Sequence, residues 1–198
     1  MKILLVEDQA MVRGALATLL RLEPGVEVSE VENGLAAFEH CQSGLFDVVL
    51  TDIEMPTMSG LELLEKLRRQ SFAGKVVILT TFGRAGYIQR ALQLGVDGFL
   101  LKDASTDDLL AALHKITQGK RVIDPELAML AVGEQDPLTE KERQALRLAG
   151  EGMSTASIAQ RLFIAEGTAR NYVSSAIAKL GVNNRTEAAR LAHQKGWL

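Results

Sequence analysis

Residues 47–56 read DVVLTDIEMP. A run of strand-forming apolar residues delivers a carboxylate, Asp52, to a position followed at once by a Met55-Pro56 turn, so the strand ends by displaying an acid. The same pattern repeats outward from it. KILLV (2–6), VEVSEV (26–31), DVVL (47–50), KVVIL (75–79) and GFLL (98–101) read as five strands. Between and after them, residues 9–22, 34–43, 60–70, 84–94 and 106–118 carry apolar positions at helical spacing, as Leu61, Leu64 and Leu67 do. Strand-helix alternation of this kind predicts a five-stranded parallel sheet of the doubly wound, flavodoxin-like type, with helices on both faces. Ligands in such sheets bind beyond the carboxyl ends of the strands.

The polar residues fall where that rule places a site. Glu7 and Asp8 follow the first strand, Asp52 the third, Thr80 the fourth and Lys102 the fifth. Three neighbouring acids repel one another unless a cation or a lysine compensates. A hard divalent ion such as Mg2+, which takes carboxylate and carbonyl oxygens and keeps waters, suits the set. Solvated loop residues are the bland alternative, and it requires several strands to end by chance in complementary groups.

The totals allow two small domains in 198 residues. The longest apolar runs, such as ILLV (3–6) and VVIL (76–79), fall far short of the roughly 20 residues that span a bilayer. MKILLVED turns acidic too soon for a secretory signal, so the expected location is the cytoplasm, without membrane insertion. Cys41 stands alone in an amphipathic pattern and reads as a buried thiol, and His40, His114 and His193 lack ligand spacing. The net charge of −3 is unevenly spread. Residues 1–121 hold 13 Lys+Arg against 16 Asp+Glu, 122–136 hold none against 4, and 137–198 hold 9 against 5. A mildly basic final third behind an acidic connector points to a polyanionic partner for that third alone.

VEDQ (6–9), LTDIEMPTMSG (50–60), ILTT (78–81) and GFLLKD (98–103) together resemble the receiver domain of two-component response regulators, over essentially all of residues 1–120. The resemblance implies that Asp52 accepts a phosphoryl group from a phosphohistidine on a sensor histidine kinase. It also implies that Asp8 binds Mg2+ directly, Glu7 mostly through water, and the Glu54 backbone carbonyl completes the ligands. Thr80 and Lys102 would hold the phosphoryl oxygens, and Phe99 matches the aromatic that turns inward on activation. Glu54 also matches a position that tunes hydrolysis of the phosphoryl group. Asp103 stands where many receivers have proline.

Residues 121–136 read as a linker of turn formers and acids, with a short helix at Pro125–Val132. Thr139 and Glu142 make a capping-box pattern that starts a helix running to about Glu151. MSTASIAQRLF (153–163) reads as a second helix. In the third, TARNYVSSAIAKL (168–180), Ala169, Val173, Ala176, Ile177 and Leu180 share one face, and Arg170, Asn171, Ser174 and Ser175 occupy the flank and far face. Short polar donors around one arginine suit a rod laid in a major groove.

Residues 138–198 resemble the LuxR-type helix-turn-helix of the NarL/FixJ class along their length, from LTEKER to the final GWL, with Ala169 where a bulkier valine is common. The resemblance implies a four-helix, all-α DNA-binding domain over 137–198. Arg170, Asn171 and Ser174 match base-reading positions, and Thr168, Lys179 and Arg185 match phosphate contacts. The partners implied are double-stranded DNA with approximate dyad symmetry and a second copy of the chain on phosphorylation. That second copy is expected to pair through roughly residues 84–118, and RNA polymerase is a further partner. The expected function is a phosphorylation-controlled transcription regulator rather than an enzyme. A phosphorylation-independent DNA-binding regulator is the alternative. An aspartyl-phosphate phosphatase would use Glu54 as its acid, yet no substrate-binding cap is evident.

Overall fold

Strands that are apolar on both sides need cover on both faces of their sheet, and the intervening amphipathic helices supply it. The computed structural model describes residues 1–81, 83–132 and 135–198. Its elements run β1 (Lys2–Val6), α1 (Ala10–Arg21), β2 (Glu27–Val31), α2 (Gly34–Ser43), β3 (Val48–Asp52), α3 (Gly60–Arg69), β4 (Lys75–Thr80), α4 (Ala85–Gln93), β5 (Gly98–Leu101), α5 (Thr106–Thr117), β6 (Val122–Ile123) and α6 (Pro125–Leu130). Four helices follow: α7 (Glu140–Gly150), α8 (Thr155–Leu162), α9 (Glu166–Leu180) and α10 (Arg185–Lys195). The chain divides into two compact units. One is Met1–Gly83 with Ile88–Val132, and the other is the chain from there to Leu198 together with Arg84–Tyr87.

All strand pairs are parallel, in the order β2-β1-β3-β4-β5-β6. β3 lies between β1 and β4, with every residue buried. Its alternate side chains Val48 and Leu50 join Ile3, Leu5, Val77, Leu79 and Leu100 under Ala17 and Leu20 of α1 and Leu109, Leu113 and Ile116 of α5. The opposite parity, Leu4, Val6, Val49 and Ile78, is equally buried on the other face. Full burial of a Leu or Ile side chain contributes about 1.5–3 kcal/mol, so this two-faced core rigidly sets where each strand ends.

The sheet has six strands where five were expected. Val122 and Ile123, inside the stretch read as linker, pair with Gly98 and Phe99 along the free edge of β5. The Val122 N–H donates to Asp97 O at 3.0 Å and the Asp124 N–H to Phe99 O at 2.9 Å. Two residues carry no alternation to read, and the strand exists because β5 offers unpaired carbonyls. The Asp124 side chain then caps α6, accepting from the Glu126 N–H at 2.9 Å, with Pro125 in the first turn and Leu127 buried. The expected 121–136 linker is thus ordered through Val132, and its Gly133 and Glu134 lie outside the described residues.

In the helical unit, α7 begins with the expected capping box: the Thr139 side chain accepts from the Glu142 N–H, and the Glu142 side chain from the Thr139 N–H. Ala145, Ala149, Ile158, Ala159, Ala169 and Val173 form one cluster. Leu138, Leu146, Ala176, Ala188, Ala192 and Trp197 belong to another. Ala169 is fully buried, so the small side chain there lets α9 pack closely. Gly181, at φ +64°, ends α9 in the left-handed conformation that a side chain would disfavour. Among the described residues no helix is long and apolar enough to cross a membrane. The described residues hold no cis peptide bond, so the Lys102–Asp103 bond is trans.

Candidate functional site

Three carboxylates meet at the carboxyl end of the sheet. One oxygen each from Glu7, Asp8 and Asp52 lies within 4.8 Å of the others. Glu7 is 1% exposed and Asp52 9%. β3 extends two residues further than the apolar run suggested, which puts Asp52 on the strand itself, in register with Leu79 of β4. Lys102, just past β5, reaches in with Nζ 2.6 Å from Glu7 Oε2 and 3.0 Å from Asp52 Oδ1. Its backbone N–H donates to Thr80 O at 2.8 Å, which ties the lysine to the end of β4, where Thr80 is buried.

Burial pushes the Asp52 carboxyl above its ordinary range, against the opposing pull of Lys102. Burial would lower Lys102, but its bond to Glu7 and the charge of Asp52 outweigh it and raise the ammonium. One ammonium against three carboxylates leaves negative charge over when all are ionised. Asp8 Oδ1 is buried with no hydrogen-bond partner. An unsatisfied carboxylate oxygen beside two others is what a hard, oxygen-seeking dication would satisfy, so the donor set fits one. The Glu54 side chain is exposed and stands outside the cluster. Phe99 is fully buried on β5.

The acids are held by groups that sequence reading missed. Arg13 of α1 donates from Nη1 to Glu7 O at 2.5 Å and Asp8 O at 3.3 Å, pinning the loop that carries both acids. Thr51 Oγ1 donates to Asp52 O at 2.9 Å. The loop after Asp52 closes on two glycines. A Cβ on Gly60 would stand 2.0 Å from Asp52 O, and one on Gly34 would stand 2.6 Å from Met58 O. Gly60 was visible as the last letter of LTDIEMPTMSG, and only the close approach shows why it is glycine. Arg13 left no local signal, being five and six residues from its two partners.

In the helical unit, α9 turns Arg170, Asn171 and Ser174 outward, all exposed, while Thr168 is half-buried. Arg170 Nη2 lies 3.1 Å from Glu166 Oε1, an exposed pair worth no more than about 1 kcal/mol and readily surrendered. Arg185 Nη1 donates to Met153 O at 3.0 Å. Ser175 and Lys179 do not join the outward face. They turn to Glu142, with Ser175 Oγ 2.5 Å from Oε1 and Lys179 Nζ 2.7 Å from Oε2. Burial would raise the Glu142 carboxyl, but bonds from Lys179, Ser175 and Thr139 hold it down at about 2.

That depression has a sign for stability. A carboxyl lowered on folding stabilises the fold above its unfolded value of about 4.3, and the contribution is lost as pH falls toward about 2. The full shift corresponds to about 3 kcal/mol, and screening near the surface of so small a unit reduces this to about 1–2 kcal/mol. Trp197 is the chain's single tryptophan and reports this unit by fluorescence. Denaturant titrations should therefore show wild type losing about 1–2 kcal/mol more than Glu142→Gln between pH 5 and about pH 2. Parallel pH dependences would remove the effect.

Residues 3–114 match the response regulator receiver domain family, and residues 136–192 match the luxR family of bacterial regulatory proteins. The chain is 43% identical to the transcriptional regulatory protein DesR of Bacillus subtilis (strain 168) over 196 residues, 98% of each chain. It is 36% identical to the nitrate/nitrite response regulator protein NarL of Escherichia coli (strain K12) over 205 aligned positions, 98% of this chain and 95% of that protein. Among solved structures it resembles RcsB from Salmonella enterica serovar Typhimurium bound to promoter rprA in the presence of the phosphomimetic BeF3−. The TM-score is 0.72 at 25% identity, covering 96% of this chain and 98% of that one.

Proposed function

Because the chain belongs to the two-component response regulators of the NarL/FixJ class, which control transcription through DNA binding, we propose that Asp52 is its phosphoacceptor. The observation that carries this reading is the buried Asp52 carboxylate bonded to Lys102 beside Glu7 and Asp8. An Asp52 oxygen attacks the phosphorus of a phosphohistidine on a sensor histidine kinase; the O–P bond forms as the P–N bond breaks, and the imidazole leaves with the electron pair. Phosphoryl transfer of this kind depends on in-line positioning and on neutralising charge spread over three oxygens.

Asp8, Asp52, the Glu54 carbonyl and, through water, Glu7 would hold Mg2+, which when bound supplies that neutralisation. Lys102 supplies the protein's own cation. The Thr80 hydroxyl donates to a phosphoryl oxygen that is present only after transfer, a bond made in one state alone. The resulting shift at the end of β4, with Phe99 beside it on β5, biases the face over residues 84–118 toward pairing with a second copy. The chain's catalysis extends only to its own phosphorylation and dephosphorylation, and Glu54 slows the latter.

On this reading residues 1–120 receive the signal, 121–136 connect, and 137–198 bind DNA, in the cytoplasm. Arg170, Asn171 and Ser174 read base edges, and Thr168 and Arg185 position the domain on phosphates. Two linked copies bind a site of approximate dyad symmetry far more tightly than one, and RNA polymerase receives the outcome.

Treatment with acetyl phosphate and Mg2+ tests the whole. Mass spectrometry should find one phosphoryl adduct, on Asp52, with a rise in solution mass toward the dimer and tighter binding to duplexes recovered by selection from random sequence. Absence of the adduct would overturn the reading. An adduct with unchanged mass and DNA affinity would identify a phosphorylation-independent regulator instead.

A further inference from the structure

We propose that Glu142 is a positioning residue for DNA recognition: it clamps the roll of α9 through Ser175 and withholds the Lys179 ammonium from the DNA backbone. This role rests on the reading of α9 as the recognition helix. At about 100° per residue, Lys179 lies roughly 180° around the helix from Arg170, while Asn171 and Ser174 fall within about 100° of it. Lys179 is therefore on the flank of the outward face that Arg170, Asn171 and Ser174 share, about 80° from Asn171 and with its side chain 36% exposed. Its Nζ is instead 2.7 Å from a carboxylate that is itself 5% exposed.

The carboxylate is saturated from both elements. Oε1 accepts from Ser175 Oγ at 2.5 Å, and Oε2 accepts from Lys179 Nζ and from the Thr139 N–H, each at 2.7 Å. Two donors one helical turn apart on α9 thus meet one acceptor fixed in the first turn of α7. Two bonds spaced a turn apart along α9, Ser175 on Oε1 and Lys179 on the Oε2 that also takes the cap N–H, restrain rotation about its axis more tightly than a single bond would. Rotation would carry Arg170, Asn171 and Ser174 off the base edges together, since all three share the helix as their only support. The apolar face of α9 combines the small Ala169 and Ala176 and Val173 with the larger Tyr172, Ile177 and Leu180, so the two bonds to Glu142 trim the roll of a helix that is already seated.

The pairing also has a consequence for specificity. Every lysine that reaches phosphate strengthens binding to any sequence and steepens the dependence on salt by about 0.9 in the logarithmic slope. A lysine held by a buried carboxylate adds nothing to that sequence-independent term. Glu142 therefore favours discrimination twice, by aiming the readers and by removing one cation from indiscriminate binding.

The test uses the full chain phosphorylated by acetyl phosphate, the selected duplex and a random-sequence duplex of equal length, over a salt series. Lys179→Met should leave the salt slope on the random duplex unchanged, because the ammonium was already withheld. In Glu142→Gln the single amide oxygen at the Oε2 position keeps the Thr139 N–H, the amide NH2 takes the place of Oε1 and can donate to Ser175 Oγ, and the lysine loses the carboxylate charge that answered it. Its slope on the random duplex should steepen by about 0.9 and its affinity there rise several-fold. Its preference for the selected duplex should fall about ten-fold, the order of one lost base contact. Glu142→Gln/Lys179→Met should recover the wild-type slope without recovering the preference. A slope reduced by about 0.9 in Lys179→Met would show the lysine on phosphate and overturn the proposal while leaving α9 as the reader. Should wild type not prefer the selected duplex at all, both fall. Lys179→Met decides the matter even if Glu142→Gln fails to fold.

Discussion

Asp52→Asn is expected to take up no phosphoryl group from acetyl phosphate, and its DNA affinity and solution mass should no longer respond to the donor. The carboxylate at the carboxyl end of β3 offers a nucleophilic oxygen toward Lys102, whose Nζ stands 3.0 Å from it. An amide is not a nucleophile of useful strength, so the rate should fall about 10^3-fold or more. The fold should survive. Burial already penalises the charged form of Asp52, and Lys102 keeps its partner Glu7 at 2.6 Å. A neutral side chain of the same shape removes one of three crowded carboxylates, so stability should hold or rise by up to about 1 kcal/mol. Intact-mass spectra and denaturant titrations on the same preparation separate the two outcomes. A variant that still acquires the adduct would place the acceptor elsewhere and sink the proposed function. A variant that simply unfolds would contradict the balance of charges described here.

Gly60→Ala is expected to damage both fold and site, by the smallest change a side chain can make. The new Cβ would lie 2.0 Å from Asp52 O and 3.0 Å from Asp52 C. Both are backbone atoms of a buried strand, and neither can swing aside as a side-chain end can. The Gly60 N–H also donates to Ile53 O at 2.9 Å, so moving the glycine away breaks the bond that closes the loop. Overpacking of this kind costs about 3 kcal/mol, well above the roughly 1 kcal/mol that alanine gains over glycine in a helix. The thermal midpoint of the receiver unit should drop by about 10 °C. What remains folded should accept phosphate about 10^2-fold more slowly, because displacement of Asp52 by an ångström spoils in-line approach. Gly14 supplies the control. It lies within α1 with nothing within 4 Å of a Cβ, so Gly14→Ala should stabilise by about 0.5–1 kcal/mol and leave phosphorylation alone. Equal behaviour of the two alanine variants would refute the close approach.

Features set by residues close together along the chain were legible in the sequence. β1 and β5 fall on the residues expected, and the other strands within two, because each is a short apolar run bounded by turn formers. The start of α7 was legible in its capping pair, Thr139 and Glu142, whereas the matching pair of α3, Ser59 and Glu62, was recognised only in the structure. Asp52, Thr80 and Lys102 announced themselves as polar residues at the ends of apolar strands. Three helices of the LuxR-type unit were legible in capping and in the spacing of small and apolar residues, and the fourth, α10, was expected from the family resemblance.

β6 was not legible, since two residues hold no period and the strand is made by the open edge of β5. Arg13 gave no sign that its guanidinium would hold the Glu7 and Asp8 carbonyls, and nothing local distinguished Lys179 from any surface lysine near a helix end. Glu142 read as a capping residue and is that, but its carboxylate is also the meeting point of Ser175 and Lys179, 33 and 37 residues further on. The sequence by itself determined the order of the first five strands and the helices between them and the acids at the strand ends, which follow from periodicity within a few residues, and its change of pattern marked the two-part organisation. Only the tertiary structure decided which cation answers which carboxylate, which glycine must stay bare and which lysine pairs with a buried acid. Those depend on the packing of segments far apart in the chain, where a few tenths of an ångström separate a hydrogen bond from a clash.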